Sequence, residues 1–296
     1  MNLETSVEQP DVAPLDAASI IVLRPATTGF EVLLMRRHGN SKVLGGAYVF
    51  PGGKVDPADG QVAPARMQQP LSDLRQALGE ADASEATALR MFSAAIRETL
   101  EECGVLYAEG ADHAIANAAR EQLLAGMAWP DWVAAHPQPL MTSALVPWSR
   151  WITPKASLMM SKRFDTRFFV AILPAQQQAS HDGHEATALE WLTPLAALTR
   201  YEQGDIDMAP PQIMTLLDLS RFADVDAVIA HGRSRPSPLI QPHHFEQDGM
   251  RVLAFPGDTA HEVKQAAWPG ATRIHYQKGR FGDANGSVLA MQALLC

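Results

Sequence analysis

The chain has 296 residues, 47% hydrophobic and 19% charged, ordinary globular values that exclude a disordered, collagen-like or fibrous protein. Its 24 Lys and Arg against 33 Asp and Glu leave a net charge of −9, and so acidic a chain lacks the electrostatic footprint of a nucleic-acid duplex binder. Two cysteines, Cys103 and Cys296, make neither a disulfide framework nor a thiolate zinc site, and they point to a reducing compartment.

Residues 1–17 read as a polar, Pro-containing arm. Glu4, Glu8, Asp11 and Asp16 precede any Lys or Arg, the reverse of a secretory leader. No apolar run approaches the ~20 residues of a membrane span, so the expectation is a cytoplasmic protein without a membrane partner. Ser19 to Leu23 is β-branched and apolar and predicts a buried strand; Phe30 to Arg36 predicts a second, paired with it as a hairpin across Thr27-Thr28-Gly29. Pro51-Gly52-Gly53-Lys54-Val55-Asp56 is a sharp loop of the kind glycine permits. Residues 60–83 are rich in Gln, Ala and Pro, with one short helix over Leu71–Leu78. Ser84 is an N-cap for a helix over Glu85–Cys103, and Gly104 is its stop.

Helical segments follow over 111–126 and 129–136, then a strand block from Trp148 whose clearest piece is Arg163–Leu173. Ala188–Leu192 is a short strand, and Pro194–Gln203 and Pro211–Arg221 are helices each opened by proline. Beyond Arg233 the chain is rich in Pro and His, with short strands over 250–255 and 272–276. Strands, then helix, then strands give an α+β class.

The chemistry concentrates in Arg97-Glu98-Thr99-Leu100-Glu101-Glu102-Cys103-Gly104. On a helix, Glu98, Glu101 and Glu102 fall at i, i+3 and i+4 and share one face. Like charges so placed repel unless a hard cation joins them, and three carboxylates suit Mg²⁺ or Mn²⁺ better than zinc. A solvated charged face is the plain alternative for a Glu cluster. Cys103 reads as a small buried hydrophobe, and His243-His244 as surface residues.

The run R-E-T-L-E-E-C-G-V resembles the second half of the Nudix box, G-x5-E-x7-R-E-U-x-E-E-x-G-U with U aliphatic, and Phe50-Pro51-Gly52-Gly53 resembles its opening, with Gly53 as the first box glycine. An uninterrupted box would put the arginine at position 67; Arg97 stands 30 residues later. The first box glutamate falls on Asp59 counted from the front and on Leu89 counted from the back, and it receives no role. The interrupted box, Trp151-Ile152-Thr153-Pro154 and Arg163-Phe164-Asp165-Thr166-Arg167 are similar to the acyl-coenzyme A diphosphatase branch of the superfamily.

That resemblance implies a Nudix α/β/α sandwich with a mixed sheet over 18–222, a helical insertion over 60–88 and a C-terminal extension over 223–296 of unknown role. It implies hydrolysis of a nucleoside-diphosphate-linked substrate, with Glu98, Glu101, Glu102 and the Gly53 carbonyl holding Mg²⁺ or Mn²⁺ and Arg97 orienting the carboxylates. Coenzyme A or an acyl-coenzyme A is the expected substrate; ADP-ribose, NADH or a diadenosine polyphosphate is the alternative within the class, and a catalytically silent nucleotide-binding regulator the alternative outside it. Glu185, shortly before Glu190-Trp191, is either a further catalytic carboxylate or part of a solvated turn, and either Glu98 or Glu185 takes the proton of the attacking water. Arg163 and Arg167 alternate with Phe164 and Phe168, so they either grip phosphates or form an ion-pair ladder with Asp165. The insertion is expected to form a substrate rim or a homodimer contact outside the core. Trp129, Trp132, Trp148 and Trp151 are expected to line a groove for the pantetheine arm.

Overall fold

The computed structural model describes residues 13–38, 46–154, 162–181 and 186–295. The first two strands are β1 (Leu15–Pro25) and β2 (Phe30–Arg37), antiparallel at Leu23–Pro25. β1 begins four residues before the apolar run because it lies parallel to β6 (Phe164–Ile172) from Leu15 onward; the N-terminal arm therefore ends before residue 15. Short strands β3 (Tyr48–Val49) and β4 (Gly52–Lys54) flank the glycine loop, and β4 lies on β1 at Ala17–Ser19. With β5 (Val146–Ile152), β7 (Ala186–Leu192) and β8 (Leu239–Ile240) these strands make one mixed eight-stranded sheet.

The period-two alternation of β1 divides the core. Ala18, Ile20 and Val22 face one layer of helices: α1 (Leu71–Leu78), α2 (Glu85–Cys103), α3 (His113–Leu124) and α4 (Trp129–Ala135). Ile21 and Leu23 face the other: α5 (Pro194–Gln203), α6 (Pro210–Leu219) and α7 (Val225–Arg233). This is the α/β/α sandwich that the resemblance implies. The bounds of α1, α2 and α5 coincide with the sequence reading.

The insertion departs from its expected place outside the core. Val62, Met67, Leu74, Leu78 and Ala83 are buried with the α2 face of the sheet, so the segment completes that core. The reason is the apolar stripe of α1, whose Leu74 and Leu78 lie one turn apart and close against α2.

The segment after residue 223 packs against the other face. Val225, Val228, Ile240, Phe255, Trp268 and Ile274 share one apolar cluster with Trp148, Trp151 and Tyr201. β8 runs parallel to β5, pairing Leu239 with Arg150 and Ile240 with Trp151. Beyond it, β9 (His243–Gln247), β10 (Met250–Ala254), β11 (Arg273–Gln277) and β12 (Arg280–Gly282) form an antiparallel meander, followed by the one-turn helix α8 (Leu289–Gln292). Among the described residues no helix is long and apolar enough to cross a membrane.

Candidate active site

The glycine loop and α2 meet through two glycines, Gly52 and Gly53, where a side chain would collide with its surroundings. Gly52 has φ +151, and a Cβ there would lie 2.4 Å from the Ala18 carbonyl oxygen. Its N–H donates to Glu102 Oε2 at 2.6 Å. A Cβ on Gly53 would lie 2.4 Å from Glu98 Oε2, so this glycine opens the space that the Glu98 carboxylate fills. The loop is pinned from below by β1, where Ile20 N–H and Ser19 Oγ both donate to the Pro51 carbonyl, at 3.0 and 2.7 Å.

Arg97 is the hub of the site, and all five of its N–H donors are engaged. Nε and Nη2 grip the two oxygens of Asp59 at 2.8 and 2.9 Å. Nη1 donates to Glu98 Oε1 at 2.8 Å and to Glu101 Oε2 at 2.9 Å, and Nη2 also donates to the Lys54 carbonyl at 3.1 Å. One guanidinium therefore ties both parts of the interrupted box together. Asp59 is fully buried (0% exposed) and is held in turn by the Asp56 N–H at 2.7 Å, part of a reciprocal cap on the turn Pro57–Gln61. The residue left without a role in the sequence reading is thus the bidentate partner of Arg97. Forward counting from Gly53 was the signal that could have found it.

Burial works against the Arg97 charge, but Asp59, Glu98 and Glu101 more than offset it and keep the guanidinium protonated. Glu98 is the perturbed carboxyl. Burial is the main cause, and Glu101 and Asp59 add to it against the opposing pull of Arg97; together they lift it to about 7.

A family model described as the NUDT19 Nudix domain matches residues 61–221. The chain belongs to this Nudix family. It is 31% identical over 278 residues to the acyl-coenzyme A diphosphatase NUDT19 of Xenopus laevis, covering 78% of this chain and 71% of that protein. It is 28% identical over 280 residues to the human protein of the same name, covering 79% and 73%. Among solved structures, a NUDIX hydrolase from Alicyclobacillus acidocaldarius superimposes with a TM-score of 0.58 at 26% identity, covering 76% of this chain and 97% of that one.

Nudix hydrolases use a divalent cation, and the residues here fit one. Glu98, Glu101 and Glu102 are carboxylates, and with the Gly53 carbonyl they make an all-oxygen donor set suited to a hard ion. Glu98, desolvated in the space Gly53 leaves, shares its cationic partner, Arg97, with Asp59 and Glu101. Among the described residues no three such side chains already converge as a ligand cluster. Their oxygens are engaged by Arg97 and the Gly52 N–H instead.

The remaining Nudix candidates separate. Glu185 lies outside the described residues. Arg163 is half-buried at the start of β6, where its Nε donates to the Thr153 carbonyl at 3.1 Å. Arg167 is held by carboxylates on the ladder side of the two expectations. It is 5% exposed, chelates Glu80 at 3.0 and 2.9 Å, and reaches Asp16 at 2.8 Å. Glu80 also pairs with Arg150, and Arg150 chelates Asp165 at 2.9 and 2.7 Å. This network is the ion-pair ladder, and it fastens the insertion to β1, β5 and β6. The four tryptophans are likewise core and not groove. Trp129 stacks on Trp132 and donates Nε1 to Ser93 of α2 at 2.8 Å, while Trp148 and Trp151 are buried under the C-terminal extension. Cys103 is buried, its thiol lifted well above the ordinary range by burial, as befits a packing residue.

Proposed function

We propose that this Nudix hydrolase cleaves the diphosphate of coenzyme A or an acyl-coenzyme A, giving 3′,5′-ADP and (acyl-)4′-phosphopantetheine. The observation that carries the chemistry is the Arg97 hub, with Asp59, Glu98 and Glu101 all on one guanidinium and Glu102 on the Gly52 N–H. The substrate assignment rests on the diphosphatase name of the relatives at 28–31% identity. An intact carboxylate set on a fully bonded arginine favours an enzyme over a silent regulator.

In this reading Glu98, Glu101, Glu102 and the Gly53 carbonyl would hold a Mg²⁺ or Mn²⁺ ion, which would supply electrostatic stabilisation of charge developing on the phosphoryl oxygens. The protein's own work is orientation and proton handling. Arg97 fixes the rotamers of Glu98 and Glu101, and the Gly52 N–H fixes Glu102. Glu98, lodged in the space Gly53 leaves, is the first candidate to take the proton of the attacking water as the new P–O bond forms and the anhydride P–O bond breaks. Glu185 is the second candidate for that base. Arg163, at the mouth of β6, is the candidate contact to substrate phosphates. We place the reaction in the cytoplasm, in keeping with a reduced, buried Cys103.

The test is kcat/KM for coenzyme A, an acyl-coenzyme A, ADP-ribose, NADH and a diadenosine polyphosphate side by side, in Mg²⁺ and in Mn²⁺, with products identified by mass spectrometry. Coenzyme A substrates should lead. A tenfold advantage for one of the other three would overturn the substrate while leaving the Nudix chemistry in place.

A further inference from the structure

The C-terminal turn of α2 carries Glu101 and Glu102, and its carbonyls need partners like those of any helix end. Gly104, in the left-handed region at φ +66, closes back on Leu100 O, and Ser180 N–H donates to Cys103 O at 2.9 Å. The two carbonyls between them belong to Glu101 and Glu102. Both are taken by one side chain from α3: Arg120 Nε donates to Glu101 O at 3.0 Å and Nη2 to Glu102 O at 3.3 Å. Its Nη1 donates to Ser180 O at 2.9 Å and Ser180 Oγ at 3.2 Å. Arg120 is buried, with its charge set against the negative end of the α2 dipole. A Cβ on Gly104 would lie 2.9 Å from Ser180 Oγ and 3.3 Å from Arg120 Nη1, so the box glycine also makes room for this contact.

We propose that Arg120 is a positioning residue for the proposed reaction: it sets the backbone of Glu101 and Glu102, and so the aim of their carboxylates. It also anchors Ser180, from which the chain runs on towards β7 and Glu190-Trp191. The inference rests on the reading of Glu101 and Glu102 as metal-holding residues. A guanidinium spans three carbonyls at once; a lysine ammonium keeps the charge but not the planar fork.

The test compares Arg120→Lys and Arg120→Gln with the wild type by Mn²⁺ titration under electron paramagnetic resonance, by kcat and KM, and by thermal melting. Val228→Ala, in the opposite layer, serves as a destabilised control. Both Arg120 variants should bind Mn²⁺ about tenfold more weakly and lose kcat in proportion, with KM within about twofold. Val228→Ala should lower Tm and leave Mn²⁺ affinity unchanged. The proposal is overturned if folded Arg120 variants bind Mn²⁺ like the wild type, if Val228→Ala weakens binding as much, or if neither Arg120 variant folds, which would make Arg120 a determinant of the fold alone. A wild type that binds Mn²⁺ but leaves coenzyme A intact would sink the substrate assignment and leave the Arg120 comparison standing.

Discussion

Asp59 gives the sharpest test of how the interrupted box works. Replacing it with alanine removes three hydrogen bonds, two from Arg97 and one from the Asp56 N–H, at a side chain with no solvent exposure. Hydrogen bonds to charged groups contribute about 1.5–3 kcal/mol each, so simple addition would reach about 9 kcal/mol. That sum is too large, because Arg97 keeps Glu98, Glu101 and the Lys54 carbonyl and is not left uncompensated. The loss should therefore lie at the low end of that for breaking one buried ion pair, about 3 kcal/mol. At about 2 °C per kcal/mol for a chain of this size, Asp59→Ala should melt roughly 6 °C lower. Because Nη2 loses its anchor, Arg97 should also hold Glu98 and Glu101 less firmly, and kcat should drop about 10- to 100-fold, as when a group behind a metal ligand is removed. The assay is a melting curve with kcat on the preferred substrate, repeated for Arg97→Ala and the double variant. If the two sites act as one unit, the double variant costs clearly less than the sum of the singles. An Asp59→Ala protein that melts within 2 °C of wild type with full kcat would refute the idea that Asp59 closes the box.

Gly53→Ala should fold but lose on the order of 100-fold in kcat, since its Cβ would fall 2.4 Å from Glu98 Oε2 and force that carboxylate aside; kcat and a melting curve check this. Arg167→Gln should cost about 3 kcal/mol of stability and leave KM for coenzyme A unchanged, whereas Arg163→Gln should raise KM. A raised KM in Arg167→Gln would return Arg167 to the substrate. In EDTA, stability should decline as pH rises from about 4.5 to about 7. Glu98 has its carboxyl raised from 4.5 to about 7, so between those values the folded protein holds a proton that the unfolded chain has released. Melting temperatures across that range should show the slope in wild type and a shallower one in Glu98→Gln; equal slopes would disprove the assignment.

What could be read in advance was whatever local chemistry specifies. Ser84 accepting from Thr87 N–H and Gly104 in its left-handed turn bound α2 unaided, and Thr193 with Pro194 does the same for α5. The box spacing alone brought Arg97, Glu98 and Glu101 into contact. Features that depend on a distant partner were not legible. Forward counting reaches Asp59 but not its pairing with Arg97 across the inserted segment, and Arg167 on β6 finds Glu80 of that segment. β8 is two residues long and exists because β5 offers an edge. The tryptophans looked like groove material because composition says nothing about which layer covers a ring. Helix α7 was a missed signal of the local kind: Asp224 caps it at Ala227 N–H, and Val225 and Val228 already carried the helical period.

The strand β8 also bears on what a shortened chain would do in a crowded solution. At Arg150 and Trp151 it occupies the outer hydrogen-bonding edge of β5, and Phe255 and Trp268 sit over the Trp151 ring. A protein ending at residue 221, where the matched Nudix domain stops, would bare unpaired backbone on the sheet beside two large indoles. Such an edge templates pairing with further copies of itself. Deleting the tail should therefore show as aggregation, read by light scattering, even with Glu98, Glu101 and Glu102 untouched.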